Sequence, residues 1–173
     1  MSLMRTPFRP AFPAIALTAV LLLTVPLDAQ AAAPATAPSA GSDTATPPIA
    51  LDLESRIEQA VDHYVAGDFA AAAALLGEVV DSDGVTGRLR ALAAFNHGAA
   101  LLQLDRNREA IAAFDMADGG EFPYPAQLHL ARGMAWERLG HPEKAAEDYS
   151  SALVADPSDP AVLRRVDAFF FKK

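Results

Sequence analysis

Small residues at three positions constrain this chain most: Ala60, Gly98 and Gly133 are separated by 38 and then by 35 residues. Four more columns keep the same two intervals. They are the turn residues Gly67, Asp105 and Gly140, the alanines Ala72, Ala110 and Ala145, the large residues Leu76, Phe114 and Tyr149, and the set Val79, Ala117 and Ala152. A register shared by five columns marks three copies of one structural unit. A single unit of this length cannot bury both of its faces, so the copies are expected to stack into one continuous core.

Inside each unit the pattern predicts two helices joined by a short turn. In the second half of the first unit Phe69, Ala72, Ala73, Leu76, Val79 and Val80 fall at three- and four-residue steps, forming one apolar stripe. The third unit repeats that stripe with Ala145, Tyr149, Ala152 and Leu153. Between the helices stand Gly67-Asp68, Asp105-Arg106 and Gly140-His141-Pro142, where a glycine stop, a capping side chain and a first-turn proline belong. Asp156-Pro157 closes the third unit, and Asp159-Pro160 reads as the cap and first turn of a seventh helix. Aromatics are sparse and β-branched runs short, which leaves little from which to build a sheet. The expected fold class is all-α, with three helical hairpins over about 53–86, 91–124 and 126–159. A capping helix over 160–171 is expected to lay Leu163, Val166, Phe169 and Phe170 against Tyr149 and Leu153.

Leu128 to Pro157, LHLARGMAWERLGHPEKAAEDYSSALVADP, resembles a tetratricopeptide repeat of the kind with Arg-Gly in its first helix and Asp-Tyr in its second. Those pairs are Arg132-Gly133 and Asp148-Tyr149 here. Ala91 to Ala117, ALAAFNHGAALLQLDRNREAIAAFDMA, is a second copy, and Leu53 to Val80 is a third that departs from the pattern. It has Ala60 where glycine is usual, and Tyr64 sits one residue later than the family's aromatic. The resemblance covers about residues 53–159 and implies a tetratricopeptide-type α-solenoid.

The resemblance also implies a ligand groove on the concave side, lined by the first helix of each unit. The groove residues would be Ile57, Val61 and Val65 in the first unit, and Leu92, Phe95, Asn96, Ala99, Leu102 and Gln103 in the second. In the third they would be Leu130, Met134, Glu137 and Arg138. Phe95, Leu102 and Met134 carry the largest apolar area of the set and are the expected anchors for an amphipathic helix or an extended peptide. Members of the family that grip a C-terminal carboxylate use lysines together with asparagines, whereas Asn96 has no lysine near it.

The N-terminus reads as an address. Arg5 and Arg9 precede an apolar run from Ala14 to Val25, and Ala29-Gln30-Ala31 follows as a small-x-small cleavage site, the order of a secretory signal peptide over residues 1–31. Twelve helical residues reach only ~18 Å, short of the ~30 Å hydrocarbon core, and Pro26 ends the run. Membrane contact is therefore expected only through this leader before cleavage, and a periplasmic or secreted mature protein is expected after it. Residues 32–50 are nearly all Ala, Pro, Ser, Thr and Gly, the composition of a disordered tether, and the repeat domain is expected over 51–173.

Charge and motif content narrow the function. A formal charge of −8 with no basic block opposes nucleic acid, whose binders need cations to displace phosphate counterions. There is no cysteine, so disulfides, thiolate zinc sites and cysteine nucleophiles are excluded. No glycine-rich phosphate loop or Gly-x-Ser-x-Gly elbow occurs, and His63, His97, His129 and His141 lack metal-ligand spacing. Asp81-Ser82-Asp83-Gly84 lacks the later ligands of a calcium loop and reads as a turn. Phe122-Pro123-Tyr124-Pro125 reads as a stiff connector, with a small aromatic contact patch as the alternative. No catalytic residue, metal or cofactor is expected. The expectation is a non-catalytic scaffold of the cell envelope holding a peptide or helix of a partner. The alternatives are a self-assembling structural subunit, hence a homo-oligomer, and an accessory subunit presenting substrate to an envelope enzyme.

Overall fold

A computed structural model describes residues 48–171, so the expected leader and nearly all of the linker lie outside the described residues. Among the described residues seven helices follow one another: α1 (Pro48–Val65), α2 (Phe69–Asp81), α3 (Gly87–Gln103), α4 (Asn107–Asp118), α5 (Pro125–Arg138), α6 (Pro142–Ala155) and α7 (Pro160–Phe170). No strand occurs among the described residues, and no helix there is long and apolar enough to cross a membrane. Helices α1/α2, α3/α4 and α5/α6 are the three hairpins, and each second helix also packs against the first helix of the next unit. The first helices touch one another as well, α3 with α5, and α7 contacts both α5 and α6.

The columns of the sequence are the joints of this stack. A Cβ added at Gly98 would lie 2.6 Å from Cε1 of Phe114, and one at Gly133 would lie 2.7 Å from Cε1 of Tyr149. Glycine is thus the notch into which the ring of the second helix fits, and both rings are fully buried. The first unit uses another combination, Ala60 with the smaller Leu76, and both are buried. The turn column is equally regular. Gly67 (φ 84°), Asp105 (φ 59°) and Gly140 (φ 78°) all adopt the left-handed conformation that ends a helix, and an aspartate tolerates it better than most side chains. Each turn carries the same pair of closing bonds. The amide of Asp68 donates to the carbonyl of His63, that of Arg106 to Leu101 and that of His141 to Trp136, while the left-handed residue donates to the carbonyl three before it.

Helix α7 begins as its sequence predicts: the Asp159 side chain accepts from the amides of Ala161 (2.7 Å) and Val162 (3.4 Å), and Pro160 occupies the first turn. Its buried stripe differs from the expected one. Val162 is fully buried, Val166 and Phe169 are partly buried, and Leu163 and Phe170 are exposed. The cause is its position. Ala168 lies 35 residues after Gly133, so α7 continues the first-helix register and sits against both α5 and α6, which rotates its contact face by one residue. Phe169 meets the Tyr149 ring edge-on at 5.0 Å. Tyr149 donates from its hydroxyl to Glu137 (2.9 Å) and accepts from Nε of Arg165 (3.0 Å), and Arg165 also donates to Glu137 at 2.6 Å. One triangle therefore ties α5, α6 and α7 together. Burial pushes the Tyr149 phenol far above its ordinary range, with Arg165 opposing, so it stays protonated and able to donate.

Candidate functional site

The first helices α1, α3 and α5 carry the residues expected to line a groove, and the structure divides them into two groups. Ile57, Phe95, Asn96, Ala99, Leu102, Leu130 and Met134 are buried. Val61, Leu92, Gln103, Glu137 and Arg138 are partly exposed, and Val65 is exposed. The three expected anchors are corrected by this placement: Phe95 is 2%, Leu102 4% and Met134 6% exposed, so they belong to the core. Two causes are visible. Helix α3 touches α5, and Phe122, from the connector before α5, stacks on Phe95 with centroids 4.6 Å apart and planes at 25°. Tyr124 meets Phe122 edge-on at 5.8 Å, so these connector aromatics pack inward, with both partly buried. Asn96 donates to the carbonyl of Leu92 (3.0 Å) within its own helix.

What remains open on this face is a mixed strip in which side chains reach from unit to unit. Gln103 donates to the Tyr64 hydroxyl (3.3 Å), linking α3 to α1. Arg138 stands in the same column as Gln103 and reaches back the same way, to the carbonyl of Leu102 and to Asp105 (3.2 Å). Gln127 donates to Asp159 at 3.4 Å, linking α5 to the start of α7. Burial raises the Tyr64 phenol, and burial, aided by the neighbouring Arg165, lowers Arg138. Tyr64, Gln127 and Arg165 are not among the residues expected to line the groove. The shared column of Gln103 and Arg138 was the signal that could have pointed to a repeated cross-unit contact.

On the other side of the stack, equivalent grooves between successive units differ in their lining. Between the second and third units Arg132 lines a groove of about 240 Å³ with Asp115, Trp136, Lys144, Glu147 and Asp148. Its Nε and Nη2 donate to Asp148 (3.0 and 2.8 Å), and its Nη1 donates to Asp115 (2.8 Å) and Asp118 (3.0 Å). The Asp148 bonds, above all, raise the Arg132 guanidinium further above its already high value. Nζ of Lys144 lies 4.1 Å from the centre of the Trp136 ring beside it. One unit earlier the corresponding positions hold His97 for Arg132, Leu101 for Trp136, Gly77 for Asp115 and Ala113 for Asp148. That groove, about 270 Å³, has Val80 and Met116 along it beside Asp81, Arg106 and Glu109, and His97 is lowered in pKa chiefly by burial. No group of three carboxylates or imidazoles that could hold a metal occurs among the described residues.

No protein-family model matches the chain, and no curated protein matches it. Solved structures do. The TPR domain of Arabidopsis OM64 is 22% identical with a TM-score of 0.62, covering 71% of this chain and 98% of that one. The second TPR domain of human RPAP3, solved in complex with the HSP70 peptide SGPTIEEVD, is 19% identical with a TM-score of 0.62, covering 72% and 98%. The first TPR domain of human RPAP3 is 17% identical with a TM-score of 0.59, covering 68% and 88%. With its three stacked hairpins and seventh helix, the chain has the α-solenoid fold of tetratricopeptide-repeat domains.

Proposed function

We propose that the protein is a non-catalytic interaction module of the cell envelope that holds an extended segment of another protein along its first-helix face. The observation that carries this reading is the repeated cross-unit reach of Gln103 and Arg138, with Val61 and Leu92 partly exposed on the first helices of the first two units. A strip of amide, guanidinium and carboxylate groups at unit spacing suits a peptide read through its backbone and polar groups, with small apolar contacts between them. The RPAP3 domain solved with a peptide supports the same kind of ligand on the same fold. Peptides selected from a random display library should bind with micromolar affinity. Combining Val61→Glu with Gln103→Ala should weaken them about tenfold or more. Lys144→Ala, on the other side of the stack, should leave them unchanged. Selected peptides that bind the double variant as tightly as the parent would place the site elsewhere.

The envelope part of the proposal rests on Arg5, Arg9, the Ala14–Val25 run and Ala29-Gln30-Ala31. Sequencing of the protein recovered from an extracytoplasmic soluble fraction should return Ala32 as the first residue. Recovery of an uncut chain with the cytoplasmic fraction would overturn it.

A further inference from the structure

We propose that α7 is a self-association element, pairing antiparallel with α7 of a second copy of this chain. This goes beyond the peptide-holding reading and does not depend on it. Among the described residues α7 gathers three of the exposed large apolar side chains, Leu163 (40%), Phe170 (48%) and Phe171 (74%), the last at its C-cap. The side turned away from α5 and α6 carries Pro160, Leu163, Arg164, Asp167, Ala168 and Phe171, all exposed. Their three- and four-residue spacing is that of a helix seam. Neither charge on it has an ion-pair partner among the described residues. Nε of Arg164 donates only to the carbonyl of Pro160 (3.1 Å), and the Asp167 carboxylate has no side-chain bond there.

The pattern is self-complementary, which is what a two-fold contact requires. In an antiparallel pair, residues whose numbers have one constant sum lie level with each other. The register that sets Arg164 opposite Asp167 of the second copy, and Asp167 opposite its Arg164, also sets Leu163 opposite Ala168 and Phe171 opposite Pro160. Both ion pairs form, and each larger side chain meets a smaller one, the alternation that lets two helices approach closely. Centring the pair on Asp167 instead puts two carboxylates face to face, so charge selects the first register. The two helix dipoles are then antiparallel, a favourable arrangement. A seam of one short helix is small beside standard interfaces, which implies a dissociation constant on the order of 10–100 µM. Each dimer would present two first-helix strips, so a partner with two binding segments would gain avidity.

Sedimentation equilibrium on the full chain tests this. The mass should rise from one chain toward two between about 1 and 500 µM, as expected for an affinity in that range. Arg164→Asp and Asp167→Arg should each weaken the association about tenfold or more, because each places like charges opposite one another twice. Mixing the two single variants should restore it, since every facing pair in the mixed dimer is then Asp with Arg. The swap combining both substitutions should restore it as well. Because the chain has no cysteine, combining Leu163→Cys with Ala168→Cys gives an independent reading, and mild oxidation should link two chains. A single-chain mass throughout, or a mass rise indifferent to the charge reversals and their mixture, would overturn the proposal. So would failure of the cysteine variant to cross-link at 500 µM, a concentration ~5-fold above the weakest expected constant.

Discussion

Replacing Phe114 with alanine should cost about 3–5 kcal/mol, enough to consume much of the stability of a domain this size. The ring is fully buried, touches Phe95 at 5.7 Å between centroids, and fills the notch at Gly98. Removing it leaves a cavity at the joint between two helices that hold the second unit together. The complementary change is more telling. Gly98→Ala should cost about 1–3 kcal/mol, because its Cβ would stand 2.6 Å from the ring and something must shift. In a Phe114→Leu background that penalty should vanish. It could even reverse by up to about 1 kcal/mol, since alanine is the better helix former. The first unit already has that combination in Ala60 and Leu76. Urea melts of the four proteins give the coupling directly. Equal costs of Gly98→Ala in both backgrounds would mean that the glycine notch does not exist to receive the ring.

The solenoid was legible because its joints repeat. Gly98 with Phe114 and Gly133 with Tyr149 recur as pairs, and Gly67, Asp105 and Gly140 turn the chain with one backbone conformation. Those are contacts within a unit, between residues whose spacing in sequence is constant. The open face of the stack was not legible in the same way. Helix α3 is buried nearly all round, from Ala91 through Leu102 with few interruptions, because it packs on α2, α4 and α5 together. A helix with so wide an apolar surface shows no narrow stripe from which to read its exposed side, so the repeat register alone places Phe95 and Leu102, and with them Met134 of α5, on the concave side. Phe122 compounds the difficulty, since a connector residue folding back onto Phe95 leaves no periodic trace. In α7 the apolar residues Val162, Leu163, Val166, Phe169 and Phe170 are contiguous enough to support two neighbouring stripes. Only its packing against both α5 and α6 decides for Val162, Val166 and Phe169.

The second large effect belongs to the groove between the second and third units. Arg132→Met should cost about 3–5 kcal/mol, because Asp148 is 6% exposed and would keep a buried charge with its principal partner gone. Nδ1 of His129, 3.3 Å from the same carboxylate oxygen, is too poor a substitute to compensate. The outer contacts of Arg132 matter less. The side chains of Asp115 and Asp118 are 58% and 44% exposed, so Asp115→Asn should cost only about 0.2–1 kcal/mol. Removing both members of the buried pair should recover most of the loss. Arg132→Met with Asp148→Ala leaves no unpaired charge, and a buried ion pair exchanged for apolar groups is often close to neutral. The chain already contains a related solution one unit earlier, where His97 and Ala113 occupy the positions of Arg132 and Asp148. The earlier groove has no buried carboxylate along it, while in the later one five guanidinium–carboxylate bonds run from Arg132 to Asp115, Asp118 and Asp148. Thermal melts of the two single variants and the double variant decide the matter. A double variant as unstable as Arg132→Met would mean that the guanidinium acts by filling space rather than by neutralising Asp148.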